Sequence, residues 1–222
     1  MEQAATFSVM ARRLGILSAL GVTLLCALYA IALVAGLLSL PTPQETIGDP
    51  FFSVLEILIL VLAPLMVMLA AATYFYASER SKVFGLLSLV FMSLLAVLTC
   101  SVHFIILTVS RNTAVAAFDS TLLFLAFKWP SIVYALDILA WDVFFGLSAV
   151  FAACVFEGSR LTSWVRVLLM VSGALAFAGL SGVFSGNMQL RNIGIIGYVV
   201  VYPVATALIA ILFMRTKPRA TV

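Results

Sequence analysis

Apolar residues fill this chain in six long blocks, each separated from the next by a short stretch rich in polar residues, proline or charge. The blocks cover residues 14–40, 51–77, 83–109, 131–156, 167–184 and 193–214. A helix needs about 20 apolar residues to cross the hydrocarbon core of a bilayer. Only the fifth block, with 18, falls short of that, and the longer ones have length to spare for tilt. The pattern predicts an all-α integral membrane protein in which residues 1–222 form one six-helix transmembrane domain. The first block is too long for a removable signal sequence and reads as the first span.

Composition strengthens this reading. The chain is 64% hydrophobic and 9% charged, with a mean hydropathy of +1.24. Soluble domains carry about 25% charged residues. A water-soluble fold of 222 residues has too little interior to hide this much apolar surface. The spans and short loops use up the length, which leaves no room for a separate soluble catalytic domain.

Charge placement gives an orientation. Arg12, Arg13, Arg80, Lys82, Arg160, Arg166, Arg215, Lys217 and Arg219 lie at the two ends and in the even loops, whereas the odd loops hold only Arg111, Lys128 and Arg191. Basic residues are retained on the cytoplasmic side, so both termini are expected there, with the odd loops outside. A plasma or bacterial inner membrane is the expected location. The net charge of +3 comes from these loop residues, marks topology and predicts no nucleic-acid surface.

The third loop is long and unusually apolar. Residues 114–127 are too few to span, and a span there would reverse every later loop. They read as an outer interfacial or re-entrant amphipathic segment, ended by Lys128, Trp129 and Pro130, a combination that suits the headgroup region. Six spans also permit an inverted repeat of three and three, but no internal similarity supports one.

Four ionisable side chains fall inside the apolar blocks: Glu56, His103, Asp137 and Asp142. Such groups are costly in hydrocarbon, and that cost makes each a candidate functional residue. At 1.5 Å per residue, Glu56 lies about 8 Å, His103 about 9 Å and Asp137 about 9 Å from the outer ends of spans two, three and four. Three helices thus bring titratable groups to one level, where they either share a proton or hold the helices in register. Helical spacing puts Thr99 and Cys100 on the face of His103, and Tyr134 and Trp141 on the face of Asp137. Asp142 lies about 16 Å deep and about 140° around the helix from Asp137, so it is expected on a separate face, as a midplane relay or a carboxyl bonded to a backbone carbonyl. Arg191, in the fifth loop, reads either as a cap on the cluster from outside or as a headgroup anchor.

Small residues mark close helix contacts, at Gly146, Ala149 and Ala153 in span four and at Ala174, Ala178 and Gly182 in span five; an oligomer through such faces is possible. Pro64, Gly194, Gly197 and Pro203 interrupt spans two and six, as kinks or as hinges near a cavity. Cys26, Cys100 and Cys154 fall within apolar blocks and read as small buried hydrophobes.

Several chemistries find no foothold. One histidine excludes HExxH-type zinc sites and bis-histidine haem, and His103 with carboxylates makes a weak zinc site. GxSxG, Walker A and GxGxxG stretches are missing, as is the intramembrane lysine that retinal would need. No metal or cofactor is expected, and the balance leans away from an enzyme. What remains is a channel or transporter for protons, ions or a small solute, with Glu56, His103, Asp137 and Asp142 as its site and Thr99, Cys100, Tyr134, Trp141 and Arg191 lining the cavity. A scaffold, sensor or assembly partner is the alternative, and an intramembrane lipid-modifying enzyme trails both. The expected contacts are the lipid bilayer and a small ion or solute.

Overall fold

The computed structural model describes residues 7–42, 45–112 and 121–217. Among these residues it is entirely helical, with no strand. Six helices are long and apolar enough to cross a membrane: α1 (Val9–Leu38), α2 (Phe51–Tyr76), α3 (Lys82–Thr108), α5 (Ile132–Ala153), α6 (Arg160–Ser185) and α7 (Met188–Arg215). A one-turn helix, α4 (Thr121–Leu125), precedes α5. Large apolar side chains such as Leu17, Leu24, Ile31, Val97, Phe104 and Val200 stand exposed along the spans. A continuous apolar perimeter of this kind is suited to lipid, and the half-exposed Trp129 and Trp164 lie at opposite ends of the bundle, as interfacial tryptophans do. The chain is a multi-pass membrane protein.

Local signals at the helix ends explain the boundaries. The Ser8 hydroxyl accepts the Ala11 N–H at 3.1 Å and opens α1. Ser131 does the same for Tyr134 at the start of α5. Ser159 and Thr162 form a reciprocal capping box on α6, so that helix begins seven residues before the apolar block predicted at 167. Likewise α1 takes in Arg12, which donates to the carbonyls of Phe213 and Met214 at 2.8 and 2.7 Å. A guanidinium on the last carbonyls of α7 satisfies groups that the helix leaves open and suits the negative end of its dipole. Gly186, at φ 71°, supplies the left-handed residue that ends α6 and lets α7 begin two residues later.

The six long helices pack in sequence order around a ring, and α7 closes the ring against α1. At the end carrying the termini and even loops, Phe7, Tyr76, Phe156 and Phe213 stack into an aromatic plug. Buried Leu69, Leu95, Phe145, Leu169 and Ile209 continue this core inward. Toward the odd-loop end the interior is hollow.

One sequence expectation about packing needs correction. The close contact of α6 runs through Gly173, Ala176 and Gly179 rather than Ala174 and Ala178, which are exposed; Gly182 is buried as expected. A Cβ on Gly173 would stand 2.8 Å from Val150 and 2.9 Å from the Gly146 carbonyl, so glycine itself sets the approach of α5 and α6. The amphipathic segment expected over 114–127 lies partly outside the described residues. Its described portion is α4, with Leu122, Leu123 and Phe124 exposed and Leu125 packed on the cluster of Val102, Ile106 and Val133.

Candidate functional site

The hollow is a cavity of about 290 Å³ that reaches from Thr46 and Ile47 in the first loop to Met66 and Tyr202 inside the ring. From Phe52 to Met66 it follows about 21 Å of helix rise along α2. Its wall holds Glu56 from α2, His103 from α3, Asp137 from α5 and Arg191 from α7.

These side chains form a chain of contacts. Glu56 Oε2 lies 2.5 Å from His103 Nδ1. The other ring nitrogen, Nε2, lies 3.4 Å from Asp137 Oδ1; this pair is within ion-pair distance but lacks hydrogen-bond alignment, so both atoms count as buried and unbonded. Arg191 Nη2 donates to Asp137 Oδ2 at 2.6 Å and its Nε to Asp142 Oδ2 at 3.3 Å. The guanidinium also sits 4.6 Å from the Tyr134 ring centroid. All five ionisable residues are buried. Leaving such a charge unpaired costs about 3–5 kcal/mol, which accounts for each member lying within ion-pair distance of the next.

Both imidazole nitrogens face carboxyl groups. A protonated ring offers an N–H to each; a neutral ring offers one, and the other contact is made good only by a proton on the facing carboxyl. With both contacts made, Glu56, His103 and Asp137 would together hold two protons, and an imidazole between two carboxyls can accept one at Nδ1 while releasing one at Nε2.

Asp142 departs from expectation. It is not on a separate face, because α5 is wound as a π-helix over Leu139–Phe144. A π turn closes from residue i to i+5, which brings residues five apart toward one side, and Asp137 and Asp142 reach the same guanidinium. The carboxyl is bonded to Arg191 rather than to a backbone carbonyl, and it stands behind the cavity wall. Glycines make its space: a Cβ on Gly194 would lie 2.6 Å, and one on Gly179 3.0 Å, from Asp142 Oδ1.

Arg191 pairs with the acidic cluster and lines the cavity, but from inside the bundle, and it is not a headgroup anchor. It is 6% exposed, on the 3₁₀ turn Met188–Arg191 that starts α7, and forms the centre of the polar group. Tyr134 and Trp141 line the cavity, but Thr99 and Cys100 do not. Thr99 lies one turn from His103 in a fully buried helix contact, with its hydroxyl unbonded, and Cys100 is half-buried.

Sequence reasoning missed the tyrosines. Tyr29, Tyr198 and Tyr202 line the deep part of the cavity, and Tyr29 lies within electrostatic reach of Asp137, Glu56 and Arg191. Their signal was position, since tyrosine favours the membrane interface and these three fall well inside their spans. Tyr198 belongs to a second π segment, Ile196–Val201, just before Pro203. Proline has no N–H to give the carbonyl four residues back, and the π turn accommodates that break. Trp141 and Tyr198, one from each π segment, meet with ring centroids 5.0 Å apart. Such segments occur frequently at functional sites.

Among the described residues, no group of three or more His, Cys, Asp or Glu side chains is placed to hold a metal ion. No protein-family model, curated protein or solved structure matches this chain.

Proposed function

We propose that this protein is a small proton-coupled transporter whose solute site is the cavity at the odd-loop end. The observation that carries the reading is the line of ion-pair contacts Glu56–His103–Asp137–Arg191–Asp142 along and behind the wall of a cavity that ends at Met66 and Tyr202, with a packed core and an aromatic plug beyond it. A hollow reaching one end of the bundle and closed at the other is the form expected of one state of an alternating-access carrier, in which the site is exposed to one side at a time. Glu56, at the cavity wall, takes up a proton; the imidazole passes it toward Asp137; Arg191 holds Asp137 and Asp142 in place across α5 and α7. The orientation proposed from the basic residues puts both termini in the cytoplasm and the cavity mouth outside, in a plasma or bacterial inner membrane.

A second reading has one specific observation behind it. The same contacts tie α2, α3, α5 and α7 together, so the polar group also suits a scaffold or assembly partner whose charges only fix the bundle. Proton flux in proteoliposomes under an imposed pH gradient separates the two. The transporter reading expects flux in the wild type and its loss in a Glu56→Gln, Asp142→Asn double variant that remains folded. Equal flux in both proteins, or no flux in the wild type either with or without a candidate solute present, favours the scaffold.

A further inference from the structure

We infer that the cavity takes a small organic cation, an alkyl- or arylammonium ion. This rests on the transporter reading and names its substrate class.

Charge is the first ground. Fully ionised, Glu56, Asp137 and Asp142 bring three negative charges, and Arg191 with a protonated His103 brings two positive ones. The group is therefore one positive charge short of neutrality in a setting where net charge is costly. A proton on one carboxyl or a cation in the cavity supplies it, so the two can exchange; an organic anion would add a fourth negative charge. Arg191 is poorly placed to reverse this preference, because its guanidinium is already engaged by two carboxylates and the Tyr134 ring.

The second ground is the lining. Below the carboxylates the wall carries Tyr29, Trp141, Tyr198 and Tyr202 among aliphatic side chains such as Ile59 and Leu62, with Met66 at the floor. Aromatic faces carry negative electrostatic potential and bind ammonium groups, quaternary ones especially, by cation–π attraction. A metal ion or a hydrated inorganic cation would want several oxygen ligands, whereas this wall offers aromatic rings and aliphatic carbon around a few oxygens. The volume, about 290 Å³, lies at the small end of the range of about 300–1,000 Å³ for ligand pockets, which limits the ligand to a compact molecule.

Binding of tetraethylammonium and of benzoate to the purified full-length protein in detergent, followed by calorimetry, tests the inference. The wild type is expected to bind tetraethylammonium and not benzoate. Tyr198→Leu keeps the apolar volume but removes one ring face, and should weaken binding by about tenfold. Glu56→Gln should weaken it at least as much; if that variant does not fold, Tyr198→Leu alone decides. Absence of tetraethylammonium binding to the wild type, preferential binding of benzoate, or unchanged affinity in the folded variants overturns the inference. Failure here is distinct from failure of the transporter reading. Proton flux without tetraethylammonium binding removes only the ligand class, and binding without flux removes only transport.

Discussion

Asp142 illustrates how much of this site depends on single atoms. One of its oxygens is held by Arg191 and the other lies against Gly179 and Gly194. In an ordinary helix, Gly→Ala stabilises by about 1 kcal/mol. At position 194 the new methyl would stand 2.6 Å from a carboxylate oxygen, and that carboxylate cannot swing aside without leaving its guanidinium. Overpacking of this kind costs about 1–3 kcal/mol, so the clash should win. Gly194→Ala is expected to lower the melting temperature in detergent, while Gly48→Ala, with nothing within 4 Å of the added methyl, leaves it unchanged. Equal melting of the two variants would show that Asp142 has room to move. At this scale Glu56, His103 and Asp137 were legible in the sequence, because depth along three helices needs only the rise per residue. Arg191 was legible as a cap or a cavity-lining residue, but not as the buried bridge between Asp137 and Asp142, because its place in a loop gave no sign that the loop's last turn is buried.

Helix ends and helix breaks carry the next level of organisation. Asp49 precedes α2 and accepts both the Ser53 N–H, at 3.1 Å, and the Ser53 hydroxyl, at 2.5 Å. Arg111, just past α3, donates to both its oxygens at 3.1 and 3.3 Å, which ties the first loop to the third. The Ser53 hydroxyl, with help from the Ser53 N–H and Arg111, holds the Asp49 carboxyl below its ordinary pKa of 3.8. A depressed folded pKa contributes stability that is in place above the unfolded value and is lost as pH falls through the folded one. Asp49→Asn should therefore lower the melting temperature at neutral pH, with the gap closing in acid below about pH 4. A gap that stays constant across the titration would mean that the carboxylate charge is not what matters. The π segments of α5 and α7 also belong to this scale. Pro203 hinted at the second, whereas nothing in the residues 139–144 marks the first, which packs between α3 and α6.

For the whole molecule the testable statement is the threading. Single cysteines at positions 45, 80, 160 and 187, in a chain whose Cys26, Cys100 and Cys154 are replaced by alanine, report the exposure of four loops in intact cells. Labelling by an impermeant reagent is expected at 45 and 187 only. Labelling at 80 or 160 instead would invert the orientation and turn the cavity mouth toward the cytoplasm, with the bundle itself unchanged. The same experiment bears on transport direction, since a cavity reaching one end of the ring draws its solute from whichever side that end faces.

Hydrophobicity alone determined that the chain forms six helices fit to cross a bilayer, because backbone hydrogen bonds must be met within each segment in hydrocarbon, and that requirement acts locally along the sequence. The level of the polar groups was local information too. Tertiary structure decided which of them meet. Closure of α7 onto α1 completes the ring that encloses the cavity, and the turn at Gly186 carries Arg191 into the interior. The π winding of α5 gathers Asp137 and Asp142 onto one guanidinium. These outcomes depend on the angle at which each helix faces its neighbours, and that angle is set by contacts such as Gly173 on Gly146 and Gly179 beside Gly194, between residues that the sequence keeps far apart.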